Sequence, residues 1–218
     1  FVRRLETDTM RQPVLFVAAT LLLTGPATIS TQETESQVGM TAAHNRVRTN
    51  INSGLPPTTG EPVQPLPDMP LAPMMWADDL AAGSQAYLNT CTAGHDPNRP
   101  ARQGENIASR ASSVALSPVD PWFAVHGWAG EASKYDHATN VSTGGFAATG
   151  HYTQLVWNTT VEVGCGFVDQ NECPNMFPGF PFQQRYLCRY RPGGNVRVST
   201  TRPYCSPGMA TGCQIRAP

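Results

Sequence analysis

Gly150-His151-Tyr152-Thr153-Gln154-Leu155-Val156-Trp157-Asn158-Thr159-Thr160 sets a histidine, a polar neighbourhood and a bulky apolar anchor side by side. An imidazole can take a proton or a metal ion. Tyr152 and Gln154 could line a cleft beside it or pack inward, and Leu155, Val156 and Trp157 read as the anchor. Immediately downstream, Val163, Cys165 and Phe167 alternate with Gly164, Gly166 and Val168, which is a strand pattern. Gln184 to Tyr190 returns as an antiparallel partner, ended by Arg191-Pro192-Gly193-Gly194-Asn195.

Upstream, the spacing predicts helices. Over Val38 to Asn52, Ala43, Val47 and Ile51 recur every fourth residue, with His44, Arg46 and Arg48 on other faces. Trp76 to Asn89 reads as a second helix, with Asp78 and Asp79 in the first turn and Leu80, Ser84, Tyr87, Leu88 and Cys91 as its buried stripe. Asp120-Pro121 is an N-cap and first-position pair opening a third, Trp122 to about Tyr135, in which Trp128, Glu131 and Tyr135 share a face. Gly127 and Gly130 weaken it, by up to about 1 kcal/mol each. Between the first two helices, Leu55 to Pro73 holds seven prolines. Proline lacks the N–H and fixes φ, so this connection is extended and must wrap the surface or line a groove. Gly104 and Asn106 read as a turn presenting Glu105, Ser109 to Val119 as a loop with a short turn, and Asp136 to Gly150 as a polar loop. Phe177, Phe180 and Phe182 could form an apolar lip for lipid or fold onto the core; Pro178, Gly179 and Pro181 favour the core.

The chain has 218 residues, enough for one domain with a real core. Charged residues make up 14% and the net charge is −1, with no basic run to suggest nucleic acid. Residues 1–30 read as upstream residues followed, from Met10, by a signal peptide. Its apolar run, Val14 to Leu23, is too short to span a bilayer, and cleavage is expected after Ala27 or Ser30. No transmembrane segment remains after cleavage. All six cysteines lie beyond it, and an even number in a secreted, extracellular protein predicts three disulfides. The last stretch, 199–218, carries Cys205 and Cys213 and reads as a clipped tail. Asn140-Val141-Ser142 and Asn158-Thr159-Thr160 are glycosylation sequons.

Over about residues 38–198 the motifs resemble the CAP superfamily (cysteine-rich secretory proteins, antigen 5, pathogenesis-related 1), also called the SCP domain. His44 to Arg48 is similar to its first-helix motif and Trp76 to Tyr87 to its second. Cys91 to His95, Gly104 to Ala108, and Trp128, Glu131 and Tyr135 follow in order. Gly150 to Thr160 and Cys188 to Asn195 match its two long motifs. The resemblance implies an α+β fold, a three-layer α-β-α sandwich with a small antiparallel sheet. It also implies the pairings Cys91–Cys173 and Cys165–Cys188, leaving Cys205–Cys213 for the tail. It further implies a cleft lined by His95, His151, Glu105 and Glu131, with Tyr152 and Gln154 beside them. Arg185 departs from the family, standing where an apolar residue is usual, and the proline-rich connection is longer than expected.

Two imidazoles and two carboxylates suit zinc or another divalent ion, or acid–base chemistry; equally, they could be a hydrogen-bonded cluster tying helices to sheet. His44, His126 and His137 read as surface or capping residues. No H-E-x-x-H and no G-x-S-x-G occurs, so an enzyme would lack a recognisable nucleophile. The expectation is a monomeric secreted binding protein for a sterol, lipid or other small apolar ligand, with a role in defence or host interaction. The alternatives are a metal-dependent hydrolase or protease using Glu105 or Glu131 as base, and a surface-acting structural or signalling ligand.

Overall fold

The computed structural model describes residues 33, 37–117, 120–196, 200–209 and 212–213. The signal-like segment therefore lies outside the described residues. In chain order the elements are α1 (Met40–Asn52), β1 (Met75–Trp76), α2 (Asp78–Leu88), β2 (Gly104–Ser112), α3 (Pro121–Ala129), a 3-10 helix (Gly130–Lys134), β3 (Tyr135–Asp136), β4 (Val141–Ser142), a second 3-10 helix (Phe146–Ala148), α4 (Gly150–Leu155), β5 (Glu162–Asp169) and β6 (Phe182–Arg191).

The main sheet has the order β1-β5-β6-β2. Its three long strands are antiparallel, and the two-residue β1 adds a parallel edge to β5. Helices cover both faces, as the sandwich expectation requires. The glycines of β5 decide how α2 docks. A Cβ added at Gly164 would lie 2.3 Å from the Ala81 amide nitrogen, and one at Gly166 2.7 Å from that of Gln85. Only bare backbone admits the helix this closely. Gln85 then bonds the Phe167 main chain through both ends of its amide (2.9 and 3.0 Å), and Ser84 donates to the Gly164 carbonyl (2.9 Å). On the other face Val163, Cys165, Tyr186, Cys188 and Tyr190 form one core with Val47, Ile51, Trp128 and Leu155.

All three expected disulfides are present: Cys91–Cys173, Cys165–Cys188 and Cys205–Cys213. Cys165 and Cys188 are opposite one another in the β5–β6 register. The Cys91–Cys173 bridge spans 82 residues and would contribute about 4–5 kcal/mol on the chain-entropy model.

Several expectations are corrected. The second helix starts at Asp78 because Met75 and Trp76 pair with β5; Tyr87 is half-buried and Cys91 exposed, so the buried stripe is Leu80, Ala81, Ser84 and Leu88. Gly104 and Asn106 are not a turn. They begin β2, which pairs residue by residue with β6 as far as Ser112, so the first four residues of the expected serine-rich loop are strand. The third α-helix stops at Ala129, where Gly130 lets it tighten into the 3-10 turn that carries Glu131. The expected polar loop after Asp136 contains the β3–β4 pairing. Of the three phenylalanines in the phenylalanine loop only Phe180 is exposed, at 46%, while Phe177 and Phe182 are half-buried, so the loop packs inward in part.

The largest correction concerns α1. His44 is fully enclosed, not a surface or capping residue, and Arg48 is enclosed as well. Arg48 donates to the carbonyls of Leu155 (2.9 Å), Ala72 (2.6 Å), Thr160 (2.8 Å) and Trp157 (2.9 Å). It thereby satisfies main-chain oxygens where α4 ends. His44 sits between the Met40 carbonyl (2.8 Å) and the Tyr190 hydroxyl (2.9 Å). The proline-rich connection wraps α1 as expected. Asn52 exchanges two hydrogen bonds with the Leu71 main chain (2.8 and 3.0 Å), and Asn45 two with that of Met74 (2.7 and 3.0 Å).

Candidate functional site

The four residues of the expected cleft come together as two His–Glu pairs. His95 follows α2, and Glu105 is the second residue of edge strand β2. His95 Nδ1 lies 2.7 Å from Glu105 Oε1, which also accepts from the Asp96 amide at 3.1 Å. The Glu105 side chain is fully buried, whereas that of His95 is 56% exposed. Arg99 and Arg189 each come to 3.6 Å from the Glu105 carboxylate, and Arg189 also bonds Asp96. A buried carboxylate needs such partners to stay charged.

The second pair is built at the start of α4. Glu131 Oε1 lies 2.7 Å from His151 Nδ1, and its Oε2 accepts from the amides of His151 (2.9 Å) and Tyr152 (3.1 Å). One carboxylate thus orients the ring and caps the helix that carries it. Trp128 stacks against the His151 ring, 6.1 Å between centroids. Asn106 links the pairs: its amide donates to the His151 carbonyl at 3.1 Å, while Glu105, one residue earlier, points to the other face of β2. An ionised carboxylate can only accept, so in each pair Nδ1 is the donor, and a neutral ring would present its Nε2 lone pair. Among the described residues, no group of three or more His, Cys, Asp or Glu is gathered as if around one metal ion. The glutamates are committed to the histidines and the main chain.

Tyr152 and Gln154 do not line this cleft; both are buried. Gln154 accepts from the Gly194 amide (2.8 Å) and donates to Thr160 (3.1 Å), so it ties the two long motifs together. His126 is exposed as expected, but His137 is buried with His44. A serine does meet a histidine here: Ser206 Oγ lies 3.2 Å from His137 Nε2. Both are buried and His137 is stacked on Tyr204 (4.2 Å), so this is packing and not an accessible nucleophile. Asn158, the second sequon, is only 4% exposed, and the fold leaves no room for a glycan there.

Sequence reasoning missed a cavity of about 350 Å³ beside β3 and β4. Tyr135, Val141, Phe146, Trp157 and Pro203 give it apolar walls; Asn140, Ser142, Thr149 and Thr153 add polar groups. Its far side comes from the tail, held by Arg202 donating to the carbonyls of His137 and Ala138 (both 2.7 Å). Tyr135 just before the supposed polar loop and Phe146 within it were the available signal.

Residues 41–190 match the model of the family described as the Cysteine-rich secretory protein family, CAP. The chain belongs to the CAP family. Venom allergen 5 of Vespula maculifrons is 35% identical over 161 residues, covering 71% of this chain and 73% of that protein. Venom allergen 5 of Polybia paulista is 31% identical over 198 residues, covering 83% and 91%. Among solved structures, Schistosoma mansoni venom allergen-like protein 4 superposes with a TM-score of 0.60 at 24% identity, covering 79% of this chain and 96% of that one. NaASP2 with Zn2+ does so at 0.59 and 22%, covering 75% and 83%. At those identities the likeness supports the CAP fold alone. The three disulfides fit an oxidising compartment.

Proposed function

We propose that this CAP protein is a secreted, monomeric binding protein whose ligand is a sterol, another lipid or a similarly small apolar molecule, held in the cavity beside β3 and β4. The observation that carries this is the cavity itself. Its volume of about 350 Å³ and its walls of Tyr135, Phe146 and Trp157, with a few hydroxyls and one amide, have the character of small-molecule sites. Disulfides and relatives named as venom allergens support secretion. Titration of the pure protein with a fluorescent sterol and a fluorescent fatty acid tests it. Saturable binding is expected, and Phe146→Glu should raise Kd about tenfold or more, because a buried Phe contact is worth about 1.5–3 kcal/mol. Phe146 is 47% exposed, so that variant should still fold. Absence of saturable binding by the wild type would sink the proposal.

The His–Glu pairs support a second reading, a divalent-metal site. His95 and His151 would ligate through Nε2, with Glu105 and Glu131 behind them fixing tautomer and ring orientation. A zinc ion there would polarise a bound water or carbonyl oxygen. Calorimetric titration with Zn2+ should show binding that His95→Ala and His151→Ala each remove. Unchanged binding in both variants would refute it.

A further inference from the structure

Arg185 stands where the family resemblance leads one to expect an apolar residue, and the fold encloses it to 6% exposure. A guanidinium keeps its proton, so enclosure leaves a charge that needs partners. The partners it has are neutral. Nε donates to the Ser109 hydroxyl oxygen at 3.2 Å and Nη1 to the Thr92 carbonyl at 2.9 Å. Among the described residues no carboxylate pairs with it. Glu105 and Asp96 both pair with Arg189, and Glu105 also meets Arg99. Tyr87, the titratable group that faces Arg185, stays a neutral phenol, because burial and the charges of Glu105 and Asp96 hold its proton on. Nη2, on the same edge of the guanidinium as Nε, makes no hydrogen bond among the described residues. That edge lies just beneath the surface, since Ser109 and Thr92 are both exposed. Phe177 comes to 6.0 Å, ring centre to guanidinium carbon, and Phe180 of the same loop is 46% exposed.

We propose that Arg185 is the centre of a phosphate-binding site, in which the oxyanion docks on the Nε–Nη2 edge beside Ser109 and Thr92. This edge is the fork that grips oxyanions through two parallel hydrogen bonds. Ser109 occupies half of it with a long bond, and its own hydroxyl proton has no acceptor among the described residues. Nη2, Nε and the Ser109 hydroxyl are thus three donors in one place. A tetrahedral phosphate has an oxygen for each, whereas a planar carboxylate has two. The bound anion supplies the counter-charge that the chain itself withholds from Arg185. The phosphate is either free or the head of a monoester whose apolar part lies along Phe177 and Phe180. The site shares no residue with the cavity beside β3 and β4 or with the two His–Glu pairs, so it stands or falls apart from both.

Calorimetric titration of the full, disulfide-bonded chain tests it, with sodium phosphate at constant ionic strength and, separately, with octyl phosphate below its micelle concentration. Saturable binding of at least one is expected, and Arg185→Met, an unbranched apolar residue of similar reach, should weaken it about tenfold or more. Equal affinity for the two probes supports a free phosphate as the ligand. Tighter binding of octyl phosphate, with the preference lost in Phe180→Ser, supports a monoester. If the wild type binds neither probe, or Arg185→Met binds as the wild type does, the proposal is overturned. Should Arg185→Met not fold, Arg185→Lys decides: it keeps the charge but loses the fork, so binding several-fold weaker is expected and unchanged affinity overturns the site.

Discussion

Lowering the pH from 6.5 towards 4 should destabilise this protein steeply, and two histidines account for it. His44 is 0% exposed and His137 2%. Burial holds each imidazole down, from 6.5 to about 4, and the positive charges of Arg48 and Arg202 respectively push the same way. Above pH 6.5 both histidines are neutral in the folded and unfolded chains, and titration contributes nothing. Between 6.5 and 4 the unfolded chain takes up protons that the folded one refuses, so stability falls as pH falls. Each pH unit costs about 1.4 kcal/mol per histidine. Across the window this amounts to about 3 kcal/mol for each, or roughly 6 kcal/mol for the pair, against total stabilities of about 5–15 kcal/mol. Urea unfolding at several pH values, with disulfides intact, measures the slope. His44→Gln should be less stable at neutral pH, having lost a fitted ring, yet its stability should depend on pH with about half the wild-type slope in this window. The double variant with His137→Gln should be nearly flat. If the double variant keeps the wild-type slope, the burial argument is wrong for both residues.

Other perturbations follow from the same packing. Arg48→Met removes the donor from four buried or half-buried carbonyls and should cost about 3–5 kcal/mol, read as a lowered urea midpoint. Gly164→Ala puts a methyl 2.3 Å from the Ala81 amide and 2.4 Å from the Ala77 carbonyl oxygen, so α2 must shift; a loss of about 1–3 kcal/mol is expected in thermal unfolding, with no such loss at exposed Gly127, where a Cβ meets nothing.

Much of the architecture was legible because it is written in local patterns. The alternation around Cys165, the Asp120-Pro121 cap and the apolar spacing of Ala43, Val47 and Ile51 all named their elements. Disulfide pairing came with the family resemblance, since spacing alone leaves fifteen connectivities for six cysteines. Errors gathered where a residue's role depends on something far away in sequence. Periodicity counts apolar residues, so it left His44 and Arg48 off the buried stripe; their partners Tyr190 and Leu155 lie 146 and 107 residues downstream. Gly104-Glu105-Asn106 has turn composition and becomes strand only because β6 offers it a ladder. Both His–Glu pairs were anticipated as members of one set, but the division of labour within each pair is set by the Asp96, His151 and Tyr152 amides, which no motif displays. The cavity was invisible for a similar reason. Its walls come from Tyr135 to Thr149, from Trp157 and from the tail at Thr201 and Pro203, which only the folded chain brings together.

The grip of Asn45 and Asn52 on the proline-rich connection has an evolutionary consequence. Each amide reads an N–H and a C=O, groups that nineteen of the twenty amino acids share, so side chains at 71 and 74 can drift as long as the residue keeps its N–H. Proline is the exception, because it has no N–H to give. In a connection with seven prolines, two of them at Pro70 and Pro73, the neighbouring positions Leu71 and Met74 are not proline. Selection on this segment would therefore show as a forbidden residue at two sites, with length and composition elsewhere in the strap left to wander.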